Sequence, residues 1–300
     1  MRIPTDLKTL GKTELEAFAD SIGEPAFRGR QLFKWLYEKG ATSFDEMTDL
    51  PSGLRDRLND IAEIGTIEEV QRQIAKDSTT KSLFALPSGR RIETVLIPDF
   101  DDGRKAKRLT VCVSSQVGCA MGCHFCATGL MGFHENLTAG QIFDQAKLMD
   151  AVANEEFGRG VTNIVYMGMG EPLQNYTNVL KSTELITDGL GLSPKRITVS
   201  TVGLSRRIKQ LADDDAPFNL AISLHAPTDE QRSAIMPVNR SEKTDIGSLR
   251  DAVTYYHAQT GKRVTYEYCM FKSINDSAED ARNLANIVRW APSKVNLIMY

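Results

Sequence analysis

No run of about 18 apolar residues, the length a membrane-spanning helix requires, occurs in these 300 residues. The opening Met1-Arg2-Ile3-Pro4-Thr5-Asp6-Leu7-Lys8 lacks the apolar centre of a secretory signal. A cytoplasmic, membrane-free chain is therefore expected. Cysteine is scarce and odd in number, five in all, which argues against a disulfide framework. A strong charge of one sign is missing too. Thirty-six Lys and Arg against 39 Asp and Glu leave a net charge of −3, too little positive charge to coat nucleic acid indiscriminately. The common zinc pattern, two separated pairs of ligands, is also absent. What remains, 41% hydrophobic and 25% charged residues, is the composition of a globular protein with one large or two smaller domains.

Three of the five cysteines stand together in Gly118-Cys119-Ala120-Met121-Gly122-Cys123-His124-Phe125-Cys126, after the apolar run Leu109-Thr110-Val111-Cys112-Val113. A C-x3-C-x2-C spacing on a Gly-bearing loop suits a cubane iron–sulfur cluster. Such a cluster normally takes four thiolates, so three leave one iron open to substrate. A single zinc would need a fourth ligand, for which His124 or His134 can be nominated.

Residues 1–65 read as a small helical module. Thr13-Glu14-Leu15-Glu16 has the form of a capping box, and Leu15, Phe18, Ala19 and Ile22 mark one helical face stopped by Gly23. A second helix is expected over 27–39, with Leu32, Trp35 and Leu36 buried. Ser43-Phe44-Asp45-Glu46 heads a short third helix and Pro51 opens a fourth. Arg28, Arg30, Lys34 and Lys39 face outward, toward either solvent or phosphate. Residues 66–107 form a β-rich extension, with strands at 81–86 and 92–98 joined by a turn at Pro87-Ser88-Gly89. Residues 72–108 hold nine Lys or Arg against five Asp or Glu, clustered at Arg90-Arg91 and Arg104-Lys105-Ala106-Lys107-Arg108.

From residue 108 to 300, strand and helix patterns alternate, as in a parallel sheet with crossover helices. Strands are expected at 109–113, 162–167, 196–201, 218–224, 263–270 and 294–299. Six in 193 residues match an open, six-unit (βα)6 partial TIM barrel, in which chemistry sits at the carboxyl ends of the strands.

The cysteine spacing is that of the radical S-adenosylmethionine (SAM) enzymes. Val113-Ser114-Ser115-Gln116-Val117-Gly118-Cys119, Cys126-Ala127-Thr128-Gly129, Gly168-Met169-Gly170-Glu171-Pro172-Leu173, Ser223-Leu224-His225-Ala226-Pro227 and Met236-Pro237-Val238-Asn239 follow in order. Together they resemble the ribosomal RNA methyltransferases that act on adenine carbon 2, from about residue 5 to residue 300. The resemblance implies a 4Fe–4S cluster on Cys119, Cys123 and Cys126. It implies SAM contacts at Gly170, Glu171, Ser200, Ser223, Leu224 and His225. It makes the N-terminal module an RNA grip. Its implied partners are 23S ribosomal RNA, some transfer RNAs and an electron donor such as flavodoxin with its reductase, and it implies a monomer.

Carbon 2 of adenine is electron-poor and cannot attack a methyl sulfonium, so a radical route is required. The cluster must then be strongly reducing, roughly −400 to −700 mV. In the family pathway one SAM methylates a cysteine, a second yields a radical that activates that methyl group, and a disulfide later releases the product. Glu93 matches the proton acceptor and Cys112 the resolving cysteine. Without the resemblance, Glu93 reads as a solvent-facing strand residue and Cys112 as a small apolar one. The methyl-accepting cysteine belongs beyond residue 300, and Cys269, in the fifth strand, reads as core. The expectation is a shortened sequence, or one that has lost carbon-2 methylation, with residues 1–300 binding a cluster and cleaving SAM without completing transfer. The alternatives are the sister activity at carbon 8, a radical SAM enzyme for another substrate, and an RNA-binding protein with structural zinc. Metal analysis separates the last from the others.

Overall fold

The computed structural model describes residues 4–101, 105–241 and 244–300. The readings that involve Met1, Arg2, Ile3 and Arg104 lie outside them. No helix among the described residues is long and apolar enough to cross a membrane. Two compact units form, and they follow contacts rather than chain order. One comprises residues 1–114, 137–164 and 177–193; the other comprises 115–136, 165–176 and 194–300.

In the first unit, helices Lys12–Ser21 and Ala26–Phe33 lead into a wider turn, Lys34–Lys39, ended by Gly40; Ser52–Ile61 follows. Leu15, Leu32, Leu36 and Tyr37 are buried, and the Tyr37 ring meets Phe143 edge-on at 5.0 Å. Beneath them lies a buried ion pair, Lys8 with Asp144.

The helix cap differs from the sequence reading. Glu14, not Glu16, turns back to accept the amide of Gly11 at 2.7 Å, so the helix begins two residues before the Thr13 box. Distant partners decide this: Glu14 pairs with Lys181 at 2.5 Å and Glu16 with Arg30 at 3.0 Å. Arg30 is thus held in an exposed ion pair, and Arg28 lies 3.9 Å from Glu24. Ser43–Glu46 makes only a single turn, in which the Glu46 carboxylate accepts the amides of Thr42 and Ser43.

The extension is an antiparallel sheet of Glu68–Ile74, Thr80–Ala85, Arg91–Asp101 and Lys105–Cys112. Alternation buries Ile92, Thr94 and Leu96 on one face. Of the basic cluster, Lys107 and Arg108 reach Asp101 and Asp99 across the strands, each at 3.3 Å. Such exposed pairs are weak, so these cations stay available to a polyanion.

The second unit carries parallel strands Ile197–Thr201, Asn219–Ser223, Val264–Met270 and Ser293–Met299, each paired with the next. Helices Ser205–Asp213, Asp229–Ile235, Ile246–Thr260 and Ala278–Ile287 fill the connections. With Lys105–Cys112 and Asn163–Tyr166, all six strands read from the sequence are present. The hairpin Gln116–Cys119 with Gly132–Asn136 was not anticipated, and the cysteine loop hangs in its mouth.

Candidate functional site

A cavity of about 250 Å³ opens within the second unit. Its wall includes Cys119, Cys123 and Cys126, together with Gly170, Glu171, Ser200, Ser223 and His225. Residues separated by a hundred positions thus face one space. Leu224 is fully buried and is not part of that wall; its amide donates to the Glu267 carbonyl at 3.0 Å.

The hairpin holds the first cysteine. Gly118 has φ 72° and a side chain there would run into the carbonyl oxygen of Gly132. Gly118→Ala is therefore expected to spread the hairpin as well as to strain the backbone, by about 1–2 kcal/mol for the conformation alone. Gly122 has φ 66° but open space around it, so Gly122→Ala should cost only the conformational part. Urea midpoints of the two variants, with iron content after reconstitution, check the difference.

All three cysteines are free thiols. Burial raises Cys119 to about 11 and Cys123 to about 12, so both remain protonated near neutrality until a metal displaces the proton. No group of His, Cys, Asp or Glu spaced for a single metal ion occurs among the described residues. Thiolates that each hold a different iron of a cubane stand wider apart than ligands sharing one ion. Three sulfurs on one cavity wall fit the cluster's donor set.

Glu171 organises the opposite wall. It is buried, and its two carboxylate oxygens accept the amides of Leu173 at 3.0 Å and Val202 at 2.8 Å. Its own amide donates to the Gln116 side-chain oxygen at 2.8 Å, and Gln116 donates in turn to Asn136 at 2.8 Å. Gly170, at φ 98°, packs so close to Gln116 that a side chain would not fit. Burial lifts the Glu171 carboxyl to about 7, against the lowering effect of the Val202 amide, the Thr201 hydroxyl and the Leu173 amide. A cationic amino group bound beside it would favour the ionised carboxylate.

Strand register assembles the third side. Ser223 pairs with Glu267, and Glu267 with Asn296, so three polar residues stand abreast on neighbouring parallel strands. The Ser200 and Ser223 hydroxyls are 3.4 Å apart, and Asn296 donates to Glu267 at 2.7 Å. Glu267 lines the cavity and its carboxyl is raised by burial. Sequence reasoning missed it, since a lone Glu in a strand carries no signal; only register reveals it.

His225 adopts φ 54°, a strained value for a side-chain-bearing residue. Its carbonyl accepts from Asn275 at 2.6 Å, and its Nδ1 accepts the Cys269 amide at 3.1 Å. The ring proton therefore sits on Nε2. Burial, with the Arg232 charge nearby, pushes the ring down to about 4, so it is neutral at pH 7.

Glu93 and Cys112 belong to the first unit. Val95 pairs with Cys112, and Glu93 lies two residues along the same strand, so both project from one sheet face. Glu93 is exposed beside Lys81, at 3.0 Å, and Cys112 is half-buried rather than a core residue.

Residues 5–64 match the family model described as ribosomal RNA large subunit methyltransferase N-terminal domain, and residues 113–285 match the radical SAM superfamily. The chain is 60% identical to a protein of Salinibacter ruber described as a probable dual-specificity RNA methyltransferase RlmN, over 98% of this chain and 80% of that one. It is 45% identical to the dual-specificity RNA methyltransferase RlmN of Desulfotalea psychrophila, over 98% and 81%. A solved radical SAM methyltransferase from Sphaerobacter thermophilus superposes with a TM-score of 0.89 at 42% identity, over 98% of this chain and 84% of that one. Radical SAM enzymes use a 4Fe–4S cluster and SAM. At these identities and coverages the chain belongs to the dual-specificity RlmN family of radical SAM enzymes, and it is an RNA methyltransferase.

Proposed function

We propose that this protein methylates carbon 2 of an adenine in 23S ribosomal RNA, and in some transfer RNAs. The observation that carries this reading is the single cavity faced by three cysteines, the Gly170–Glu171 turn, Ser200, Ser223 and His225. Bound together, cluster and SAM supply a one-electron cleavage that starts radical chemistry. Cys119, Cys123 and Cys126 hold the cluster. Glu171 takes the amino end of SAM, supported by Gly170, while Ser200, Ser223 and His225 provide further contacts; Leu224, whose amide is held by the Glu267 carbonyl, only fixes the strand exit beside them.

Keeping His225 neutral avoids a second cation beside a cationic cofactor. Tyr166, Phe125 and Met236 give the cavity an apolar side. Glu93 would accept the carbon-2 proton, and Cys112 would resolve the link between the RNA and the methyl-carrying cysteine by forming a disulfide with that cysteine. Their shared sheet face supports the pairing of these two roles, and the weak Lys81 contact leaves the carboxylate free to act. The basic residues of the helical module and the extension meet the phosphates. A one-electron donor of the flavodoxin type, with its reductase, supplies the electron, and the protein works as a monomer.

Deletion of the gene tests the assignment. Digests of large-subunit ribosomal RNA from the deletion strain are expected to lose 2-methyladenosine. Loss of 8-methyladenosine instead would move the activity to carbon 8, and unchanged nucleosides would overturn the proposal.

A further inference from the structure

Behind the cavity wall lies a cation with no anion in direct contact among the described residues. Arg232, on helix Asp229–Ile235, has no exposed surface. Its guanidinium donates to the carbonyls of Val202, of Thr244 at 2.7 Å and of Ser223 at 3.5 Å, and to the Asn239 side chain. No carboxylate lies within ion-pair distance of it among the described residues. The nearest connection runs through Asn239, whose amide donates to Asp229 at 3.1 Å. Its Nε–H finds no acceptor among the described residues. A buried charge of this kind without an ion-pair partner is costly, and carbonyl dipoles offset only part of the cost.

The surroundings indicate which anion is meant. The last carbonyl of the same helix, Ile235, accepts the amide of His124 at 2.9 Å, between Cys123 and Cys126. Val202 and Ser223, whose carbonyls Arg232 grips, both line the cysteine cavity.

We propose that Arg232 is the fixed counter-charge of the cysteine loop and sets the potential at which the bound cluster accepts its electron. The inference rests on the cluster-binding reading. It touches neither substrate nor the reacting atoms; it acts through the cysteine loop as a positioning residue. Three thiolates make the loaded site anionic, and reduction adds one electron, taken from an external reductant, with no proton to balance it. A permanent cation buried behind the wall, in a medium of low dielectric, favours the reduced form. A lysine would keep the charge but lose the forked grip on two strand exits.

The test is a redox titration of the full chain, reconstituted anoxically with iron and sulfide and reduced with dithionite and mediators, read by the paramagnetic signal of the reduced cluster. In Arg232→Gln, the ratio of reduced to oxidised cluster at the wild-type midpoint is expected to fall about tenfold, equal to about 59 mV for one electron. Arg232→Lys should stay close to wild type. An unshifted Arg232→Gln, or an Arg232→Lys shifted equally, overturns the proposal. Should Arg232→Gln not fold, Asp229→Asn decides. Removing the anion behind the guanidinium should move the midpoint positive, and no movement counts against the idea. A wild-type chain that takes up no iron would instead refute the cluster reading beneath it.

Discussion

Cys123→Ala is expected to fold, to remain colourless after anoxic reconstitution, and to release no 5′-deoxyadenosine from SAM with dithionite, a loss of at least about a thousandfold. The physical ground is the donor set. Three thiols share the cavity wall, so removing one leaves two ligands for a cluster already one short. Folding should survive, because Cys123 sits in a loop whose backbone is anchored independently by the His124 amide on Ile235. Deleting one sulfur from a packed site costs about 1 kcal/mol, small against a typical stability of about 5–15 kcal/mol. Cys269→Ala is the control. Its strand contributes an amide to His225, which alanine keeps, so colour and cleavage should persist. A brown, active Cys123→Ala protein, or a colourless Cys269→Ala protein, would sink the assignment.

Glu171→Ala should have the largest effect on stability. Its carboxylate is the acceptor for two interior amides, those of Leu173 and Val202, on loops that follow different strands. Leaving two buried N–H groups unpaired costs about 1–3 kcal/mol each, so urea unfolding of the cluster-free chain should show a loss of about 2–6 kcal/mol.

Glu171→Gln separates charge from bonding. Burial raises the folded-state carboxyl to about 7 from its ordinary 4.5. Between those values the folded state holds more protons than the unfolded one. The native carboxyl therefore favours folding at the acid side of the window, and stability falls as pH rises toward 7, then levels. The amplitude is about 3 kcal/mol. A glutamine cannot titrate, so the difference between wild type and Glu171→Gln should slope from pH 4.5 to 7 and flatten above. A difference that stays constant across the window would contradict the burial argument.

Much of this was legible in one dimension, and the reason is range. The six core strands, the cysteine loop and the Gly170–Glu171 turn are written in contiguous residues, where period-2 apolar runs, glycines and fixed spacings act locally. The Thr13 box failed for the opposite reason. Its Glu16 is drawn off by Arg30 and Glu14 is held by Lys181, partners that lie far from the box in the chain. Cys112 went the same way. Its neighbours suggested a core position, but the pairing of its strand with Val95 turned the thiol to the open face.

By itself, then, the order of residues determined the fold class, the cysteine spacing that suits a cubane cluster, and the ordered motifs that fall at strand ends. The tertiary structure decided which polar groups share the cavity. Glu267 joins Ser223 and Asn296 only because parallel strands settle in one register, and Arg232 serves the cysteine loop only because its helix folds beneath it. Register and burial are set by contacts between distant segments, and the free energy of an uncompensated buried charge has no trace in local spacing.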